Sequence, residues 1–285
     1  MAPPITTVGV VGSGIMSAGI VEVFAAAGYD VIVRARTNAG ATAVREAIDR
    51  RLSRLVERGR CDDNDRQATL GRISCTEHLH DLATCDLVIE TVVENLEIKQ
   101  HLMTELGHHL AEHAIIATNT STLPVVELAI ASGRPDRVAG LHFFNPATAM
   151  TLVEIVRPIT ASDDTIAALH EVARRCDRQI VEVADRAGFV VNALLFPYLN
   201  AAIAMAERNT ASIDEIDAAM KGGCGFPLGP FELLDLVGLD TSLSILEALH
   251  REFGDAGMVP QPALRRLVAA GHLGRKTGRG FRTYT

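Results

Sequence analysis

Short β-branched runs alternate with longer helical stretches through the first two-thirds of this chain, and that order is accommodated by a parallel sheet with crossover helices. The runs are Thr7-Val8-Gly9-Val10-Val11, Val31-Ile32-Val33, Leu87-Val88-Ile89-Glu90, Ala114-Ile115-Ile116-Ala117 and Val138-Ala139-Gly140-Leu141. Their near-continuous apolar composition marks strands covered on both faces. After Ile180-Val181-Glu182-Val183 the strand pattern stops. From about Ala187 onward Leu, Ala and Met recur at helical spacing, punctuated by Pro227, Gly229, Pro230 and Gly238. The expectation is an α/β protein in which a mostly parallel sheet domain, residues 1–186, precedes an all-α domain, residues 187–285. The length of 285 residues suits two domains at roughly 150 residues each.

Composition removes several function classes. With 48% hydrophobic and 22% charged residues the chain reads as an ordinary globular protein. A net charge of -8 gives no overall attraction to nucleic acid or to an anionic membrane, so neither partner is expected. Five cysteines without a C-x-x-C pair argue against a disulfide framework and against a zinc site. They read as free thiols in a reducing compartment. The N-terminal segment has no basic residue before Arg34 and does not read as a secretory signal, so a cytoplasmic location is expected. Residues 188–206 carry no charge, yet Asn192, Pro197 and Asn200 interrupt them, which favours a helix buried at a domain or subunit contact over a membrane span.

Gly12-Ser13-Gly14-Ile15-Met16-Ser17 follows the first strand and opens an apolar helix, the setting of a dinucleotide-binding turn. Gly12 permits the tight turn and Gly14 lets the backbone approach a pyrophosphate. The N–H groups at Ile15 and Met16 then face that anion at a helix N-terminus. Ser17 stands where the pattern expects Gly or Ala. An NAD-selecting protein would carry an acid at the end of the second strand to bind the ribose 2′-hydroxyl. Here Asp30 precedes that strand, and its far end reads Arg34-Ala35-Arg36. Two guanidiniums suit a 2′-phosphate, so NADP(H) is the preferred cofactor. The alternative is NAD(H), with both arginines on the surface.

Three further segments, Thr118-Asn119-Thr120-Ser121-Thr122, His142-Phe143-Phe144-Asn145-Pro146 and Gly188-Phe189-Val190-Val191-Asn192, together resemble the L-3-hydroxyacyl-CoA dehydrogenase family in its short, single-function form. The resemblance runs from Val8 to the closing Gly274-Arg275-Lys276-Thr277-Gly278-Arg279-Gly280-Phe281. It implies a Rossmann-like first domain, a helical second domain that forms a homodimer, and hydride exchange between an acyl-CoA and a nicotinamide. Position by position, it implies that His142 is the general base or acid and Glu154 its carboxylate partner. Ser121 and Asn192 become the polar groups at the substrate oxygen. It also implies that Glu94, Lys99, Asn119, Asn145 and Lys276 belong to the cofactor site.

One part of this follows from spacing alone. If residues 138–144 and 152–156 form an antiparallel pair about Thr148, positions 142 and 154 stand directly opposite, within reach of an imidazole-to-carboxylate hydrogen bond. Proton transfer during alcohol oxidation needs a group titrating near neutrality, which histidine supplies. Residues 34–60 hold eight arginines against Glu46, Asp49 and Glu57. Arg51, Arg54 and Arg58 share one helix face, and the resemblance places Arg51 and Arg58 where CoA is held. A solvated helix with a Glu46–Arg50 pair is the plainer reading of that stripe. Lys99 and Lys276 are two of only three lysines, although either could be a solvated side chain.

The chain departs from the family's pattern at Ser17, Ala35, Ala147-Thr148-Ala149-Met150-Thr151, Ala193 and Arg282. Those beside His142 and Asn192 bear on the substrate pocket more than on the reaction. His109, Glu112 and His113 match a metalloprotease spacing, but no third ligand is identifiable and no metal is expected. A hydrolase triad of Ser121, His142 and Glu154 lacks the G-x-S-x-G elbow. A dehydrogenase of small free hydroxy acids and a non-catalytic nucleotide-binding protein are the competing readings.

Overall fold

The computed structural model describes residues 4–284, and the chain divides into two compact units between Asp185 and Arg186. The first unit runs β1 (Thr7–Val11), α1 (Ile15–Ala26), β2 (Asp30–Arg34), α2 (Asn38–Glu57), α3 (Asp63–Gly71), β3 (Ile73–Thr76), β4 (Leu87–Glu90) and α4 (Leu96–His109). It continues with β5 (Ile115–Thr118), α5 (Val125–Ala131), β6 (Val138–Phe143), β7 (Leu152–Arg157), α6 (Asp163–Arg175) and β8 (Gln179–Ala184). These strands make one eight-stranded sheet in the order β3-β2-β1-β4-β5-β6-β7-β8. Every pairing is parallel except β6 with β7.

Period-two alternation explains why the strands read as unbroken apolar runs. Val8, Val10, Leu87, Ile89 and Ala117 point into one core with α1 and α2, whereas Val11, Val88 and Ile116 point into a second with α4 and α5. Helix α2 buries only Ala41, Val44, Ile48 and Leu52, a narrow stripe that leaves its arginines outside. Strand β3 was not among the expected strands. Its four residues alternate buried Ile73, exposed Ser74, half-buried Cys75 and buried Thr76 at the sheet edge, too short and too polar to stand out.

The strand order reverses between β1 and β4, and such a switch point leaves a crevice beyond the carboxyl ends of the strands. Gly12, Arg34, Glu90 and Thr118 all lie at that edge.

The second unit contains α7 (Val191–Glu207), α8 (Ile213–Cys224), α9 (Pro230–Val237), α10 (Leu239–Phe253) and α11 (Pro262–Ala269) around Phe196, Leu199, Ile203, Phe231, Leu234, Leu246 and Leu249. The uncharged stretch at 188–206 is mostly α7. Asn200 is spent inside this unit, donating to the carbonyls of Gly257 and Val259 at 2.9 and 2.8 Å. Among the described residues no helix is long and apolar enough to cross a membrane. Arg282, which the sequence left without a consequence, pairs with Asp214 at 2.5 Å and with buried Asp217 at 2.8 Å. Asp217 in turn accepts from the N–H groups of Phe231 and Glu232, so the arginine helps neutralise a buried carboxylate that caps α9. All five cysteines are free, and burial pushes the Cys85 and Cys176 thiols up to about 12.

Candidate active site

The turn after β1 has the form a dinucleotide needs. Gly12 sits at φ +143°, and a Cβ there would meet Thr91 and Ser17, at 2.8 Å from the Ser17 hydroxyl. A Cβ on Gly14 would meet no atom within 4 Å, so that side of the turn is open to an incoming phosphate. No acidic residue stands in the first turn of α1, and its orphan N–H groups and positive dipole end favour an anion. These residues fit a pyrophosphate. Ser17, the departure from the pattern, is fully buried. Its hydroxyl bonds the Thr91 hydroxyl at 2.8 Å and accepts the Gly14 N–H at 3.1 Å, which is how the extra oxygen is accommodated. Ile15 lies beside the turn, 78% exposed. Met16 is half-buried against the core.

Strands β6 and β7 pair antiparallel with His142 opposite Glu154, the register expected from their spacing about Thr148. The His142 Nδ1 lies 2.8 Å from Glu154 Oε2, and its Nε2 lies 3.1 Å from Ser121 Oγ. A carboxylate at Glu154 can only accept, which assigns a hydrogen to Nδ1; in that tautomer Nε2 is the acceptor and the Ser121 hydroxyl the donor. His142 is 3% exposed and Glu154 fully buried, which fixes the ring by packing as well as by bonding. Asn119, expected at the cofactor, accepts the Phe143 N–H through Oδ1 at 2.8 Å and so ties the end of β5 to the strand carrying His142.

Behind Ser121 lies a polar cluster in which Glu94 and Lys99, expected at the cofactor site, meet Glu90, Thr118 and Thr120, which sequence reasoning missed. Glu90, fully buried at the end of β4, accepts from Lys99 Nζ at 2.7 and 2.8 Å, from Thr118 Oγ1 at 2.7 Å and from the Val92 N–H at 2.6 Å. Lys99 is not a solvated lysine: it is 1% exposed, and its ammonium also reaches Glu94 at 3.3 Å and the Val92 carbonyl at 3.3 Å. Glu94 accepts from the Thr120 hydroxyl at 2.5 Å and the Ser121 N–H at 3.0 Å. Desolvation works against its charge, but Lys99 and these hydrogen bonds outweigh it and hold the carboxyl below the usual carboxylate range. A chain of bonds thus links Lys99, Glu94, Ser121, His142 and Glu154. The signal available in the sequence was an acid closing an otherwise apolar run at Glu90.

At the other end of the crevice, Asp30 proves to be the first residue of β2 rather than to precede it, and the carboxyl end of β2 carries no acid of its own. Asp30 does lie at the far end, paired with Thr7, and Arg34 at the near end, paired with Val11. However, Glu77, just after β3, accepts the Asn38 N–H through its carboxylate at 2.9 Å and the Arg34 Nε through its carbonyl at 3.3 Å. Arg36 is exposed.

A cavity of about 610 Å³ lies between α1, α2 and the β6–β7 loop. Gly14, Asn145, Arg51, Arg54 and Arg58 all line it, so the dinucleotide turn and the arginine stripe share one space. Arg51 is not unengaged: it forms an ion pair with Glu22 of α1. Burial pushes the Glu22 carboxyl above the usual range, which Arg51 offsets only in part. The plainer Glu46–Arg50 pair is also present, exposed and 3.5 Å long. Two expected site residues belong to the second unit. Asn192 stands in the first turn of α7, and Lys276 pairs with Asp240 at 2.6 and 2.7 Å. Among the described residues no group of three or more His, Cys, Asp or Glu side chains could hold a metal ion.

Comparison with known proteins agrees along the whole chain. Residues 7–186 match the family model described as 3-hydroxyacyl-CoA dehydrogenase, NAD binding domain, and residues 188–284 match its C-terminal domain. A 3-hydroxybutyryl-CoA dehydrogenase of Mycobacterium tuberculosis is 43% identical over all of both chains. One from Clostridioides difficile is 40% identical over 96% of this chain and 98% of its own. Among solved structures, FadB2 of M. tuberculosis superposes with a TM-score of 0.97 at 43% identity, covering 99% of this chain and 100% of that one. (S)-3-Hydroxybutyryl-CoA dehydrogenase PaaH1 of Ralstonia eutropha gives 0.95 at 38% identity, covering 99% of each. With its glycine turn at a sheet switch point and matches over both halves, the chain belongs to the 3-hydroxyacyl-CoA dehydrogenase family and carries that family's NAD-binding domain.

Proposed function

We propose that this enzyme interconverts a short L-3-hydroxyacyl-CoA, 3-hydroxybutyryl-CoA first among them, with its 3-oxoacyl-CoA, and that His142 and Glu154 are the acid/base pair. The observation that carries the reading is the His142 ring held between Glu154 and Ser121, with Nε2 on the Ser121 side. When bound, the nicotinamide accepts hydride from, or returns it to, the carbon bearing the substrate oxygen. In oxidation His142 Nε2 takes the hydroxyl proton, and Glu154 stabilises the imidazolium that results. In reduction the same atom returns the proton. With substrate bound, the Ser121 hydroxyl turns its one hydrogen from Nε2 to the substrate oxygen, which frees the Nε2 lone pair for the proton, and Glu94 fixes the Ser121 backbone that presents it.

Arg54 and Arg58, with Arg51 steadied by Glu22, offer cations to the phosphates of CoA within the same cavity as the glycine turn. A free hydroxy acid would make no use of that stripe. Arg34 and Arg36 favour NADP(H) over NAD(H).

The test is initial-rate consumption of NADH and NADPH, side by side, with acetoacetyl-CoA and with free acetoacetate. The expected result is turnover of the thioester with both carriers, a higher kcat/KM for NADPH, and little turnover of the free acid. Equal turnover of both substrates would favour the free-acid dehydrogenase instead.

A further inference from the structure

We propose that Glu77 is a specificity-determining residue for the nicotinamide carrier, an anion of the chain's own that opposes Arg34 and Arg36 at the 2′ position of the ribose. The proposal rests on the reading that this crevice binds a dinucleotide. Register brings the parties together. Arg34 pairs with Val11 on one side and Thr76 on the other, the Gly12 N–H donates to the Arg34 carbonyl at 2.9 Å, and the Ala35 N–H donates to the Thr76 carbonyl at 3.1 Å. Gly12, Arg34, Ala35 and Glu77 therefore share the carboxyl edge of three adjacent strands.

Two bonds hold Glu77 across this edge. Arg34 donates to its carbonyl, and the N–H of Asn38, the first residue of α2, donates to its carboxylate. The start of a helix is where a 2′-phosphate would find N–H donors and a positive dipole end. In α2 the Gly40 N–H is already taken by the Thr37 hydroxyl at 3.1 Å, and that of Asn38 by Glu77. Helix α2 carries no acid in its own first turn, so the negative charge at its start is supplied by the neighbouring strand. A carboxylate there repels a phosphate and accepts from a hydroxyl, whereas a guanidinium does the reverse. The carrier preference is the balance of the two. Glu77 is exposed, so its share of the balance is screened by salt.

The experiment measures dissociation constants for NADH and NADPH by nucleotide fluorescence, and kcat/KM for both with acetoacetyl-CoA, in the wild-type protein and Glu77→Gln. Removing one charge beside a phosphate near the surface should raise the NADPH-to-NADH affinity ratio roughly tenfold, and less at high salt. The gain is expected chiefly in NADPH binding. An unchanged ratio, or equal losses for both carriers as a purely structural role would give, overturns the proposal. A wild-type protein that prefers NADH would refute the NADP(H) preference while leaving the Glu77 effect measurable. A protein inactive on acetoacetyl-CoA would still report it through the two dissociation constants.

Discussion

Replacing His142 by alanine is expected to lower turnover of acetoacetyl-CoA by about 10²–10⁴-fold while leaving NADH affinity near that of the wild-type protein. In the proposed reaction the ring moves the proton, and its Nε2 stands 3.1 Å from the Ser121 hydroxyl. The nucleotide turn at Gly12 and Gly14 and the donors of α1 lie on other elements and make none of the contacts to His142 described above. Steady-state rates combined with a fluorescence titration of NADH separate the two effects. Turnover within a factor of a few of the wild-type rate would remove His142 from the chemistry. Loss of nucleotide affinity in step with turnover would assign it a structural role instead.

The second large effect is on stability. Lys99→Met leaves the Glu90 carboxylate fully buried without its countercharge, and breaking such a pair from one side costs about 3–5 kcal/mol. Urea unfolding should show a lower midpoint for Lys99→Met. The double replacement Glu90→Gln with Lys99→Met should recover much of the loss, because the fully buried position then carries no charge, while Glu94 is part-exposed and keeps its bonds from Thr120 and Ser121. A Lys99→Met midpoint equal to that of the wild-type protein would contradict the account of this cluster. The lysine also reaches Glu94, whose carboxyl it helps to hold below the usual range and which in turn accepts the Ser121 N–H.

Much of the fold is legible in the amino-acid order, because strands buried on both faces leave an unmistakable record. Val8 to Val11 and Leu87 to Ile89 sit in the middle of the sheet, and nearly every residue in them is apolar. Strand β3 escapes for the opposite reason: an edge strand with one outward face can be polar at alternate positions, and four residues are too few to show a period. Within the site, the opposition of His142 and Glu154 is legible because an antiparallel register is fixed by arithmetic about the connecting loop. Contacts between parallel strands carry no such arithmetic. Glu77 follows β3, its partners lie in β2 and α2, and more than 30 residues of intervening chain separate Glu77 from them in sequence. The same holds for Glu90 and Thr118, 28 positions apart, and for Glu22 and Arg51, 29 apart. Lys99 stands out as one of three lysines, but rarity says nothing of direction, and the side chain turns inward.

In the proposed reaction Glu154 orients the His142 imidazole so that its far nitrogen takes the substrate proton as hydride leaves. Single-turnover oxidation of L-3-hydroxybutyryl-CoA, compared between the wild-type protein and Glu154→Gln and repeated with deuterium at the reacting carbon, reads that step most directly. The predicted result is a fall of about 10²–10⁴-fold in the isotope-sensitive rate, with nucleotide affinity unchanged. A Glu154→Gln enzyme that transfers hydride at the wild-type rate would contradict it.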